Sequence, residues 1–103
     1  MLDKRNFYIN GEWVSPAAPK DLDVIDPSNE NACAVISIGD QTDTDAAVAA
    51  AKDAFISWAE TPREERIALV EKLADIYEAR SAEMGEAISM EMGAPISLAK
   101  TAQ

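Results

Sequence analysis

The sequence predicts an α+β chain, with two N-terminal β-hairpins followed by three to four helices. Three observations carry that prediction. An Asn10-Gly11 pair stands between two short β-prone runs. The apolar period changes from two to 3.6 at about Thr42. Proline and glycine then fall where helices start and stop.

The first hairpin is Phe7-Tyr8-Ile9, Asn10-Gly11, Glu12-Trp13-Val14. Both central residues of a type I′ turn need positive φ, which asparagine tolerates and glycine adopts freely. Pro16 and Pro19 then break regular pairing, because proline cannot donate to a strand ladder. Leu22-Asp23-Val24-Ile25 is the next strand, Asp26-Pro27-Ser28-Asn29 a turn, and Cys33 to Ile38 the returning strand. A short meander is the other arrangement these runs allow.

From Thr42 the pattern is helical. Thr42 with Asp45 three residues later is a helix start, and Val48, Ala51, Phe55 and Trp58 share one stripe. Thr61-Pro62-Arg63-Glu64 starts a second helix, with Thr61 as cap, Pro62 at the first helical position and Glu64 completing a capping box. Ile67, Val70, Leu73, Ala74 and Tyr77 are its expected buried stripe, widened by Leu69 and Ile76. A third helix runs from about Ser81 to Met92. Gly93 ends it in a left-handed conformation, and Pro95 opens a fourth with no stop signal. The expectation is one incomplete domain over 1–103, with strands within 7–40 and helices within 42–103.

Composition narrows the function. Nine basic against nineteen acidic residues give a net charge of −10, which repels phosphate backbones and anionic lipid. Nucleic acid and membrane are therefore set aside as partners. One cysteine, Cys33, and no histidine exclude an internal disulfide, a zinc-type cluster and a Cys–His dyad. The N-terminus has no apolar signal segment, so the expected setting is reducing and cytoplasmic.

The candidate chemical groups have structural readings. Cys33 lies in an apolar run and reads as a buried, inert side chain. Glu64-Glu65, Glu83-Glu86 and Glu91 read as solvated or helix-end groups. Asp40, Asp43 and Asp45 lack calcium-loop spacing and read as caps. Glycines 11, 39, 85 and 93 are too dispersed to cradle a phosphate. Met84, Met90 and Met92 read as core filling. No catalytic and no cofactor-binding residue is expected in this chain.

In order, the motifs resemble one family. Tyr8-Ile9-Asn10-Gly11-Glu12-Trp13-Val14 leads to Val24-Ile25-Asp26-Pro27. Ala46 to Ala51 with Phe55 and Trp58, then Thr61-Pro62-Arg63-Glu64-Glu65-Arg66, lead to Glu91-Met92-Gly93-Ala94-Pro95. From about Phe7 onward this is similar to the N-terminal fifth of an NAD(P)-dependent aldehyde dehydrogenase. Ala94 departs from the lysine more common there.

The resemblance implies the N-terminal part of the NAD(P)-binding domain in an α/β fold, serving as scaffold. It implies an oxidoreductase converting an aldehyde to a carboxylic acid through a cysteine thioester, with NAD or NADP as hydride acceptor. It also implies a homo-oligomer when full length. The family's nucleophile and base lie outside these residues, and Cys33 matches neither. A structural sodium or potassium ion is implied as well, held by the backbone carbonyls of Val24 and Ile25, by the Glu91 side chain and by at least one further ligand outside these residues; oxygen ligands suit a hard cation. The alternative is a stand-alone, non-catalytic module that binds a protein partner through its apolar helix faces.

Overall fold

A computed structural model describes residues Met1–Thr101. Its elements are β1 (Leu2–Lys4), β2 (Phe7–Ile9), β3 (Glu12–Val14), β4 (Asp21–Asp26), β5 (Asn31–Ser37), α1 (Gln41–Trp58), α2 (Arg63–Ala79), α3 (Ser81–Met92) and α4 (Ile96–Ala99). They fall into two compact units. The first joins Met1–Val24 to Ala32–Glu60, and the second joins Ile25–Asn31 to the chain from Thr61 onward.

The first unit holds the expected hairpin. β2 and β3 are antiparallel, with Phe7 opposite Val14 and Ile9 opposite Glu12. Asn10 and Gly11 take φ of 55° and 81°, the two positive values that a type I′ turn needs. Tyr8 and Trp13 face each other across the ladder, with ring centroids 5.2 Å apart and planes inclined at 58°. Such tilted aromatic pairs add to cross-strand stability.

β4 and β5 are hydrogen-bonded neighbours joined by the turn at Pro27–Glu30. A connection this short closes a hairpin and cannot make a parallel crossover. The sequence reading missed a third strand. β1 lies on the other side of β5 and runs parallel to it, with Leu2 opposite Ala34 and Lys4 opposite Ile36. Ala34 and Val35 of β5 are buried, as is Pro16.

The cap of α1 lies two residues before the expected Thr42. Asp40 is the N-cap: its carboxylate accepts from the Thr42 and Asp43 amides at 2.8 and 3.1 Å. Asp43 returns the bond to the Asp40 amide at 3.1 Å, closing a capping box. The same Asp43 carboxylate accepts from the Ala17 amide at 2.9 Å, tying the proline-rich segment to the helix start.

In the second unit α2 starts at Arg63. Pro62 is not its first helical residue but its N-cap, with an extended ψ of 146°. α3 keeps the expected limits and ends on Gly93 at φ 73°. α4 is a single turn, not an open-ended helix, and is followed by a turn at Lys100–Thr101.

The apolar burial expected of α2 fails, and the stripe of α1 is open as well. No residue of α1 or α2 is buried, and Val70 and Leu73 are each 65% exposed. The stripes are present in the sequence, but burial needs a facing element that covers them, and the approach of β2 to α1 and of α3 to α2 leaves these side chains open.

Candidate functional site

The second unit brings two of the family-like motifs into contact, the Asp26-Pro27 turn and the end of α3. Asp26 organises the turn. Its carboxylate accepts from the Ser28 amide at 2.8 Å and from the Asn29 side-chain amide at 3.1 Å. Its carbonyl accepts from the Glu30 amide at 2.8 Å. The bonds to the carboxylate, those from Ser28 foremost and then that from Asn29, hold the Asp26 carboxyl below its usual range.

Gly93 meets the proline of that turn. A Cβ placed on Gly93 would lie 2.8 Å from Pro27 Cγ. The Gly93 amide donates to the Ser89 carbonyl at 3.0 Å, and the Ser89 hydroxyl donates to the Ala94 carbonyl at 2.8 Å. The chain is thus turned by one serine before Pro95 starts α4. α4 then rests on α3 at Gly85, where Ala99 is buried and a Cβ would meet Lys100 Cγ at 2.7 Å.

The three residues expected to bind a cation occupy distinct settings. Val24 is half-buried on β4 in the first unit, and its carbonyl accepts the Cys33 thiol at 3.3 Å. Ile25 follows at the end of β4, exposed and in the second unit. Glu91 is exposed in the last turn of α3, which carries no basic residue. A carboxylate there faces the negative end of the helix dipole, so a cation would relieve the repulsion.

The remaining candidates are engaged structurally. Cys33 is half-buried rather than fully buried, and its thiol is spent on Val24. Glu64 and Glu65 sit in the first turn of α2, where the dipole favours them. Glu83 pairs with Arg80 at 2.8 Å, which lowers its pKa, and Glu86 lies 4.0 Å from Lys100. Asp45 accepts from the Gln41 side chain at 2.8 Å. Among the described residues no three His, Cys, Asp or Glu side chains could together hold a metal. Of the methionines read as core, Met90 is half-buried, while Met84 and Met92 are exposed. No helix among the described residues is long and apolar enough to cross a membrane.

The sequence reading also missed a charged cluster in the first unit. Arg5 binds Asp3 at 2.6 Å and reaches Asp21 at 3.3 Å. The Arg5 side chain, mainly by hydrogen bonding, lowers the Asp3 carboxyl to about 2. These residues border an open cavity of about 630 Å³, also lined by Trp13, Pro16 and Ser37. The only signal in the sequence is the alternation of Asp3 and Arg5, which does not reveal Asp21.

Three comparisons bear on identity. The model of the aldehyde dehydrogenase family matches residues 13–103. A 3-succinoylsemialdehyde-pyridine dehydrogenase of a Pseudomonas species is 40% identical over 84 residues, which are 82% of this chain and 18% of that protein. The crystal structure of an aldehyde dehydrogenase from Bartonella henselae superposes with a TM-score of 0.98 at 58% identity, over 99% of this chain and 21% of that one. A mutant aldehyde dehydrogenase C from Pseudomonas syringae, solved with NAD+ and octanal, gives 0.93 at 38% identity, over 94% and 20%. The chain spans about a fifth of the length of these relatives.

Proposed function

Because the chain belongs to the aldehyde dehydrogenase family, we propose that it is the N-terminal scaffold of an enzyme that oxidises an aldehyde to a carboxylic acid. The observation supporting this most strongly is the match to the Bartonella henselae enzyme along almost the whole chain.

In this reading a cysteine thiolate attacks the aldehyde carbonyl, a hydride leaves for NAD or NADP, and water cleaves the thioester with help from a glutamate base. We assign that cysteine, that glutamate and the nucleotide contacts to the part of the relatives' fold that this chain does not span. Cys33 is unsuited to the role. Its thiol is half-buried and donates to a carbonyl, and the sequence has no histidine to activate it. The four glycines stand apart and make no phosphate cradle.

The contribution of these residues is surface and orientation. The open apolar stripe of α2, with Leu69, Val70 and Leu73, offers area to the rest of the fold. We further assign Glu91 and the carbonyls of Val24 and Ile25 as ligands of a structural sodium or potassium ion. The assembled protein is read as a cytoplasmic homo-oligomer, with aldehyde as substrate.

The test is direct. The 103-residue chain is mixed with an aldehyde and NAD or NADP, and reduced cofactor is followed by absorbance. No turnover is expected. Turnover that survives Cys33→Ala would overturn the scaffold reading, and turnover abolished by it would make Cys33 the nucleophile.

A further inference from the structure

We draw no further inference here: the strongest candidate, the open cavity of the first unit beside β1 that Trp13, Pro16 and Ser37 line, already pairs its Arg5 with Asp3 and Asp21, its buried and unpartnered Ser37 hydroxyl is sealed from solvent, and nothing in the structure shows what covers it.

Discussion

Gly93 and Pro27 are in contact such that position 93 has no room for a side chain: a Cβ there would stand 2.8 Å from the Pro27 ring. The backbone imposes the same choice independently, since φ at Gly93 is 73°. Gly93→Ala therefore meets two penalties. The left-handed conformation costs roughly 1–2 kcal/mol for a residue with a Cβ, and overpacking adds typically about 1–3 kcal/mol. Urea unfolding of Gly93→Ala should show a lowered midpoint. Adding Pro27→Ala should recover the packing part and leave the backbone part. Strict additivity of the two changes would mean that the ring contact carries no energy.

The start of α1 should be sensitive at Asp40. Its carboxylate satisfies two amides that have no partner inside the helix. Asp40→Ala should cost about 1 kcal/mol and reduce helicity seen by circular dichroism. Asp43→Ala should also free the Ala17 amide, which then exchanges faster with deuterium.

Gly85→Ala sets two effects against each other. Alanine in a helix interior is favoured over glycine by about 0.8–1.0 kcal/mol. Here the new methyl would meet the Lys100 backbone at Cα, 3.2 Å away, and the Ala99 carbonyl at 3.3 Å, as well as the Lys100 side chain. Backbone cannot swing aside as a side chain can, so packing should win. Expected outcomes are raised helicity in α3 and loss of α4 from its place, read as NMR shift changes over Ile96–Ala99.

Acid should loosen the β1 end of the first unit. The Asp3 carboxyl is lowered in the folded state to about 2 from an ordinary 3.8. A lowered carboxyl contributes stability above its unfolded pKa and loses it as pH falls through the folded value. The loss should therefore run from about pH 4 down to about pH 2. Asp26 and Glu83 are lowered too and act in the same direction. Arg5→Ala should return Asp3 to the ordinary carboxylate range in an NMR titration.

Val70→Asp and Leu73→Glu test the scaffold reading on an open face. Exposed positions seldom change stability by more than about 0.5 kcal/mol, so the melting of the 103-residue chain should hold while binding of a hydrophobic dye falls. The same changes in a chain extended to the relatives' length should impair folding. An unimpaired extended chain would argue for the partner-binding module instead.

Several of these elements were legible from local chemistry. Asn10-Gly11 dictates its own turn, and Gly93 with Pro95 dictates both the end of α3 and the start of α4. Other features depend on residues distant in the chain. β1 has only Leu2 as an apolar residue and becomes a strand because β5 offers it an edge. Asp40-x-x-Asp43 and Thr42-x-x-Asp45 are competing start patterns, and the first also gains the Ala17 amide, which no local window contains. Pro62 fell on the helix boundary, where its fixed φ serves a cap as well as a first turn. The family-like motifs could be read singly, whereas the contact of Pro27 with Gly93 is tertiary and leaves no periodic trace. The helix stripes were read correctly as apolar, but periodicity does not say whether anything covers them.

The parallel pairing of Leu2 with Ala34 also sets an order of assembly. During synthesis β1 emerges ahead of the other strands of its unit, yet its partner strand emerges only after the hairpin, the proline segment and β4. Its ladder must wait for that long closure, which makes it a late event despite its early position. The N-terminal segment is then the last of the first unit's strands to be secured, and the local β2–β3 hairpin the natural place for that unit to begin folding.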